Sequence, residues 1–318
     1  MKKEKIKQWF TRQKRSLLKK TFALTSLPRQ CQAYDFIDGI WSQPYDCLLP
    51  TKYKLYWKNR LINTSFSLEE LKISQGVEPR NERVFILGSG PSVNNLDLSK
   101  LRKENVIFLN GAITSINEVN SPFLEVISDA SFVRNRSSLL TNLRNDLKFA
   151  VTFDVFRELA LLDEKIAKNY DFSIINEAPN WREGGGTLLN ELARKSGDFL
   201  EQEAAGELLK LFLDPRLGFF HTGTVMSNAI QIAFYVGFKE IFLLGFDLGN
   251  ANQPRFYENT EDVVRSGLLN DYEEHIKPFM LLTKLASKKT GVGVYNCSPV
   301  TLLPYSIIPY RDFNSLFF

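Results

Sequence analysis

A handful of short stretches carry residue types that can hold an anion or move a proton. Gly88, Ser89, Gly90, Pro91 and Ser92 directly follow the apolar run 84–87. Two glycines permit a tight turn whose backbone N–H groups can approach a phosphate, and the two hydroxyls add donors. The same residues equally suit an ordinary strand-to-helix turn capped by Ser92. The third glycine of the dinucleotide pattern is missing, and no Gly-Lys-Ser/Thr follows, so neither common phosphate-loop signature is present. Asn110 ends a second apolar run and can present its amide to a base or ribose. Before Gly111 it is also a common turn residue. Asp129 ends a third run, where a carboxylate either caps the next helix or binds a sugar hydroxyl; the cap is the plainer reading.

Further along, Thr222, Gly223 and Thr224 lead into a helical pattern. Hydroxyls and free N–H groups at a helix start suit a phosphate or carboxylate, or simply cap the helix. Gly245, Phe246 and Asp247 close the strongest apolar run, and Asp247 there can reach ribose hydroxyls or a cytosine amine. Arg255 and Tyr257 follow in the polar stretch 250–260, which is long for a plain turn. A guanidinium and a phenol can steady a phosphate leaving group without a metal. His275 lies between that stretch and an amphipathic helix. A lone histidine is usually structural; facing a cleft, it could deprotonate a hydroxyl near neutral pH.

These residues need elements that bring them together. Apolar runs at 84–87, 106–109, 124–127, 149–152, 173–175, 240–244 and 292–296 are separated by helix-length stretches. That pattern predicts βαβ units and a parallel sheet. Helices are expected at 225–236, stopped by Gly237, and at 277–288. Residues 186–213 read as helical by composition and are expected to form a lid or helical insertion. The expected fold is therefore α/β: a Rossmann-like, mostly parallel sheet with helices on both faces. An irregular, aromatic-rich N-terminal extension at 1–80 precedes a nucleotide-binding domain at 81–318, and part of that extension is expected to pack on the domain. Ligands of such sheets sit beyond the carboxyl ends of the strands, which is where the candidate residues fall.

Composition narrows the class. The chain has 318 residues and a net charge of +4, too small to imply nucleic acid as a partner. Its basic charge concentrates in residues 1–20, which hold nine Lys or Arg against Glu4 alone. That segment, with Ile6, Trp9, Phe10, Leu17 and Leu18, reads equally as a solvated tail or as a peripheral contact with anionic lipid. Cys31, Cys47 and Cys297 lack metal-type spacing, and with two histidines no zinc site is expected. No apolar run reaches membrane-spanning length and no signal peptide is evident, so a cytoplasmic location is expected.

Taken in order from about residue 83 to 300, the landmarks resemble the family 42 bacterial sialyltransferases. They are the GSGPS turn, FLNG, the Asp129 strand end, H-TG-T-V with its helix, KEIFLLGFD, Tyr257, His275 and YNCSP. The strand–GxGPS start is also similar to a broader group that includes pterin pyrophosphokinase-like proteins. The sialyltransferase resemblance implies a metal-independent glycosyltransferase using a CMP-activated acidic sugar as donor, with no cofactor. It implies that Gly88, Ser89, Gly90, Pro91, Ser92 and Asn110 hold nucleotide and phosphate. It places Thr222, Gly223 and Thr224 near the donor's carboxylate and phosphate, and Gly245, Phe246 and Asp247 at the cytidine. Tyr257 would assist the leaving phosphate and His275 would act as base. Two departures stand out: Gly249 occupies the position of a second tyrosine, and Asp129 stands where the family tends to have Asn. A carboxylate there could serve as nucleophile in a double displacement, which would suit a transferase of Kdo, 3-deoxy-D-manno-octulosonic acid. The expected acceptor is a lipid-linked glycan of lipooligosaccharide or capsule, met at the inner face of the membrane. The alternatives are a pterin pyrophosphokinase-like enzyme and a non-catalytic nucleotide- or glycan-binding protein.

Overall fold

Seven apolar runs become the strands of one parallel sheet. In chain order they are β1 (Arg83–Leu87), β2 (Asn105–Leu109), β3 (Leu124–Ile127), β4 (Lys148–Val151), β5 (Asp171–Ile174), β6 (Glu240–Leu244) and β7 (Gly293–Asn296). The sheet order is β7-β6-β1-β2-β3-β4-β5, and every pairing is parallel. The computed structural model describes residues 52–58, 60–74, 82–141, 143–175, 219, 222–249, 253–259, 261, 263 and 267–317. It also gives the backbone of short strands at 32–33, 41–42, 199–204 and 207–212.

Burial on both faces explains why these runs are continuously apolar rather than alternating. β1 contributes Val84 and Ile86 to one core layer, and Phe85 and Leu87 to the other. Among the described residues the α-helices are α1 (Leu68–Ser74), α2 (Ala130–Asn135), α3 (Phe153–Leu162), α4 (Glu164–Asn169), α5 (Val225–Val236), α6 (Leu268–Asp271) and α7 (Lys277–Thr290). α1, α5 and α7 pack on the first face, whereas α2, α3 and α4 pack on the second. α5 is buried from Met226 to Val236, which accounts for its almost wholly apolar sequence. Gly237 and Gly291 end α5 and α7 with φ of 102° and 76°, a left-handed geometry that glycine adopts without a Cβ penalty.

The chain runs outward from β1 to β5, then returns to place β6 on the other side of β1. Connections leaving β1 and β6 therefore diverge, opening a crevice at the carboxyl ends of these two strands.

Two regions depart from the sequence expectation. Within the extension expected to be irregular, 54–57 and 60–64 form an antiparallel hairpin. The hairpin packs on the β5 side of the domain: Phe66 N–H donates to Phe172 O at 2.8 Å, and Asn63 Nδ2 donates to the carbonyls of Ala167 and Tyr170. Residues 1–20 lie outside the described residues. In the stretch expected to be a helical insertion, Phe199–Ala204 and Glu207–Phe212 pair antiparallel, from Phe199↔Phe212 to Ala204↔Glu207. Leu, Glu and Ala favour helix locally, but strand pairing overrides that propensity, and the pairing leaves only a two-residue connection. This hairpin lies against α7. Residues 186–198 of the expected helix lie outside the described residues.

Candidate active site

The turns after β1 and β6 are clasped together. Gly88 N–H donates to Leu244 O at 2.8 Å, and Gly90 N–H donates to Gly245 O at 3.0 Å. Ser92 donates its N–H to Asp247 Oδ2 at 2.8 Å and its hydroxyl to Asp247 Oδ1 at 2.5 Å. Asp247 is only 2 % exposed. The carboxylate expected to meet ribose or cytosine is engaged by Ser92 through both oxygens and holds the glycine turn in shape, while still lining the cavity beside that turn. Ser298 Oγ accepts Phe246 N–H at 2.8 Å and lies 3.3 Å from Ser92 Oγ, adding the turn after β7 to the clasp. A Cβ on Gly90 would fall 2.5 Å from Gly245 O, so the close approach requires glycine.

Beside this clasp lies a cavity of about 80 Å³. Gly88, Ser89, Gly90 and Pro91 line it from β1, Asn110 from β2, and Gly245, Phe246 and Asp247 from β6. Thr224, Val225 and Met226 bring the head of α5 to the same space. Thr224 caps α5, with Oγ1 accepting Met226 N–H at 3.3 Å. Thr222 is 1 % exposed and its Oγ1 is buried without a hydrogen-bond partner. Asn110 has φ of 52°, and its Oδ1 is likewise buried and unpaired. Buried polar atoms normally find partners, so an orphaned amide oxygen facing a cavity is a ready acceptor for a ligand N–H or O–H. Below Asn110 lies Glu125 on β3, whose carboxyl burial raises well above the usual range against a lowering from the Asn110 N–H.

Tyr257 reaches the same region. Its ring covers Gly111, where any Cβ would overlap it, and its phenol hydrogen-bonds the Ser89 side chain. Burial pushes the phenol up to about 12, against a lowering by the charge of Arg255. It remains an O–H donor across the physiological range. Arg255 lines the cavity, and its guanidinium meets Glu258 Oε1 at 2.7 Å. Arg136, beyond α2, meets the same oxygen at 2.7 Å. Burial opposes the charge of Glu258, but the Arg255 N–H and the two guanidinium groups outweigh it and lower its carboxyl below the usual value. The two guanidinium groups meet on one buried carboxylate close to the phenol.

His275 sits on a single π-helical turn, Tyr272–Ile276, inserted between α6 and α7. Such π-bulges occur mostly as single turns and often at functional sites. His275 Nδ1 lies 3.7 Å from Asp271 Oδ1, and Asp271 also packs against Gly223, next to Thr224 at the cavity. Asp129 is placed differently. Its Oδ1 accepts Ser131 N–H at 2.7 Å and its Oδ2 accepts the Ser131 hydroxyl, so it caps α2 from an exposed turn. It does not line the cavity, and the geometry gives no support to a nucleophile there.

With this geometry in view, residues 68–314 match the family model described as 3-deoxy-D-manno-octulosonic acid transferase WaaZ. The chain belongs to this family. It is accordingly a glycosyltransferase. Two curated relatives share the description "probable 3-deoxy-manno-octulosonic acid transferase". The one from Salmonella typhimurium is 29% identical, covering 74% of this chain and 88% of the relative. The one from Escherichia coli is 25% identical, covering 72% and 82%. Among solved structures, the sialyltransferase CstII from Campylobacter jejuni, in complex with cytidine-5'-monophosphate, is similar over 75% of this chain and 89% of its own. Identity there is 14% and the TM-score 0.37.

Three site residues of this transferase escape a reading of its sequence alone. Ser298 lies in the Tyr-Asn-Cys-Ser-Pro stretch, but nothing in that stretch reveals that its hydroxyl serves the turn after β6. Glu258 and Asp271 look like ordinary surface acids, and only the fold shows their partners. Among the described residues, no helix is long and apolar enough to cross a membrane.

Proposed function

We propose that this transferase moves 3-deoxy-D-manno-octulosonic acid from a CMP-activated donor to a hydroxyl of a lipid-linked glycan. The observation that carries the reading is the convergence on one cavity of the glycine turn, the unpaired Asn110 amide oxygen, the head of α5 and Arg255, with Tyr257 joined to the lining through Ser89. The glycine turn and Asn110 hold the nucleotide. Thr222, Gly223 and Thr224 offer a helix N-terminus to the donor's anionic groups. His275 takes the proton from the acceptor hydroxyl, the acceptor oxygen bonds to the anomeric carbon, and the bond from that carbon to the phosphate oxygen breaks. CMP departs with the bonding electrons, met by the Tyr257 O–H and the Arg255 guanidinium. The basic segment 1–20 suits a contact with anionic lipid at the cytoplasmic face of the membrane, where such an acceptor would be met.

The test compares ligands and donors. CMP should raise the melting temperature while ADP leaves it unchanged. Transfer should occur from CMP-activated 3-deoxy-D-manno-octulosonic acid in preference to CMP-sialic acid. A protein indifferent to CMP and inactive with both donors would sink the proposal.

A further inference from the structure

We infer that Asp271 is the positioning residue for His275, linking the base to the turn at the head of α5; this rests on the base role proposed above. Asp271 is the last residue of α6 and stands one turn before His275, with its Oδ1 3.7 Å from the imidazole Nδ1. That separation is too long for a hydrogen bond in the resting pair and leaves the carboxylate the nearest acid to the ring nitrogen on its own helix. The other carboxylate oxygen lies against Gly223, which has φ of +77°. Asp271 fills the space a side chain at 223 would need, so glycine there serves two ends: it adopts the left-handed backbone and leaves the notch that seats the carboxylate.

His275 is not itself among the residues lining the cavity, and Asp271 is what links it to the turn that is. Thr224, adjacent to Gly223, lines the cavity, and Asp271 bridges from that turn to His275. The surrounding helix is held independently: Tyr272 OH donates to Leu302 O at 2.9 Å, and Lys277 pairs with Glu273 at 2.9 Å. Losing the carboxylate therefore leaves the helix in place and removes the contact that links the imidazole to the Gly223 turn.

The experiment measures kcat and donor KM for Asp271→Asn, Asp271→Glu, His275→Ala and the double variant Asp271→Asn/His275→Ala. CMP-induced stabilisation of each variant reports whether the donor site survives. The expected result is a 10- to 100-fold lower kcat for Asp271→Asn with donor KM within about twofold, and partial recovery in Asp271→Glu. In the double variant, kcat should equal that of His275→Ala, because Asp271 acts only through the ring. An unchanged kcat in Asp271→Asn, or an equal further loss in the His275→Ala background, overturns the inference while leaving the base intact. An unchanged kcat in His275→Ala overturns the base and the inference with it. If Asp271→Asn fails to fold, Asp271→Glu alone decides: a kcat above that of His275→Ala with CMP binding retained supports positioning by the carboxylate, and a kcat no higher than that of His275→Ala counts against it.

Discussion

Single side chains divide between those aimed at the cavity and those that shape it. Tyr257 joins the first kind only through Ser89, the lining residue its phenol hydrogen-bonds. Its phenol, pushed up to about 12 by burial, stays protonated in the fold at pH values where a free tyrosine ionises. Tyr257→Phe should lower kcat about 10- to 100-fold, the scale of a single well-placed donor. The ratio of wild-type to variant rates should stay flat from pH 6 to pH 10, because the proton in question has not left; a ratio collapsing near pH 8 would refute the donor role. The same raised value acts on stability. The unfolded phenol releases its proton near 10 and the folded one near 12, so this contribution is complete below pH 10 and is lost as pH rises through 12. Asp247 belongs to the second kind, and a carboxylate at a strand end does not reveal it. Its partner Ser92 lies 155 positions away in sequence, and only the sheet order brings them together. Asp247→Asn keeps the shape but loses the charge that strengthens both hydrogen bonds. It should cost about 1–2 kcal/mol in urea unfolding and raise donor KM more than it lowers kcat. A variant of wild-type stability and KM would show the clasp to be incidental.

At the scale of elements, the strands were legible because they are buried on both sides. The run at 240–244 becomes β6 over the same residues, and 225–236 becomes α5 with Gly237 as its stop. Periodicity and capping chemistry suffice where a run has one structural solution. They fail at 199–212, where helix-favouring residues form a hairpin whose pairing depends on contacts no local window contains. The π-helical turn under His275 was equally hidden, since its sequence, Tyr-Glu-Glu-His-Ile, reads as an ordinary helix. The contact between elements with the clearest consequence is the one between the turn after β2 and the 253–259 loop. Gly111 and the Tyr257 ring touch so closely that any Cβ at 111 must displace the ring. Gly111→Ala should therefore reproduce the activity loss of Tyr257→Phe, and the double variant should be little worse than either alone. Additive losses, measured as kcat/KM in the four-membered cycle, would show that the two act separately.

Over the whole molecule, the family match begins at residue 68, yet the fold does not. The hairpin at 54–64 is sealed to the second face of the sheet: Leu55 is fully buried, and Tyr53 and Trp57 are 4 % and 3 % exposed. Tyr53 meets Phe153 edge-on, with ring centroids 5.1 Å apart, and Arg60 pairs with Glu164 at 2.9 Å. The exposed ion pair contributes little. The three apolar side chains contribute roughly 1.5–3 kcal/mol each, together comparable to the net stability of a typical domain. The hairpin is therefore part of the domain, not a leader appended to it, and its loss would bare the helix surface that supports β4 and β5. Trp57→Ala should cost about 3–5 kcal/mol and Leu55→Ala about 2–5 kcal/mol in urea unfolding. Because the cavity lies at the carboxyl ends of β1, β2 and β6, on other strands, the surviving folded fraction should keep its donor KM. A cost below about 1 kcal/mol in both variants would make the hairpin a passenger; a changed KM would mean that it reaches the site through the sheet.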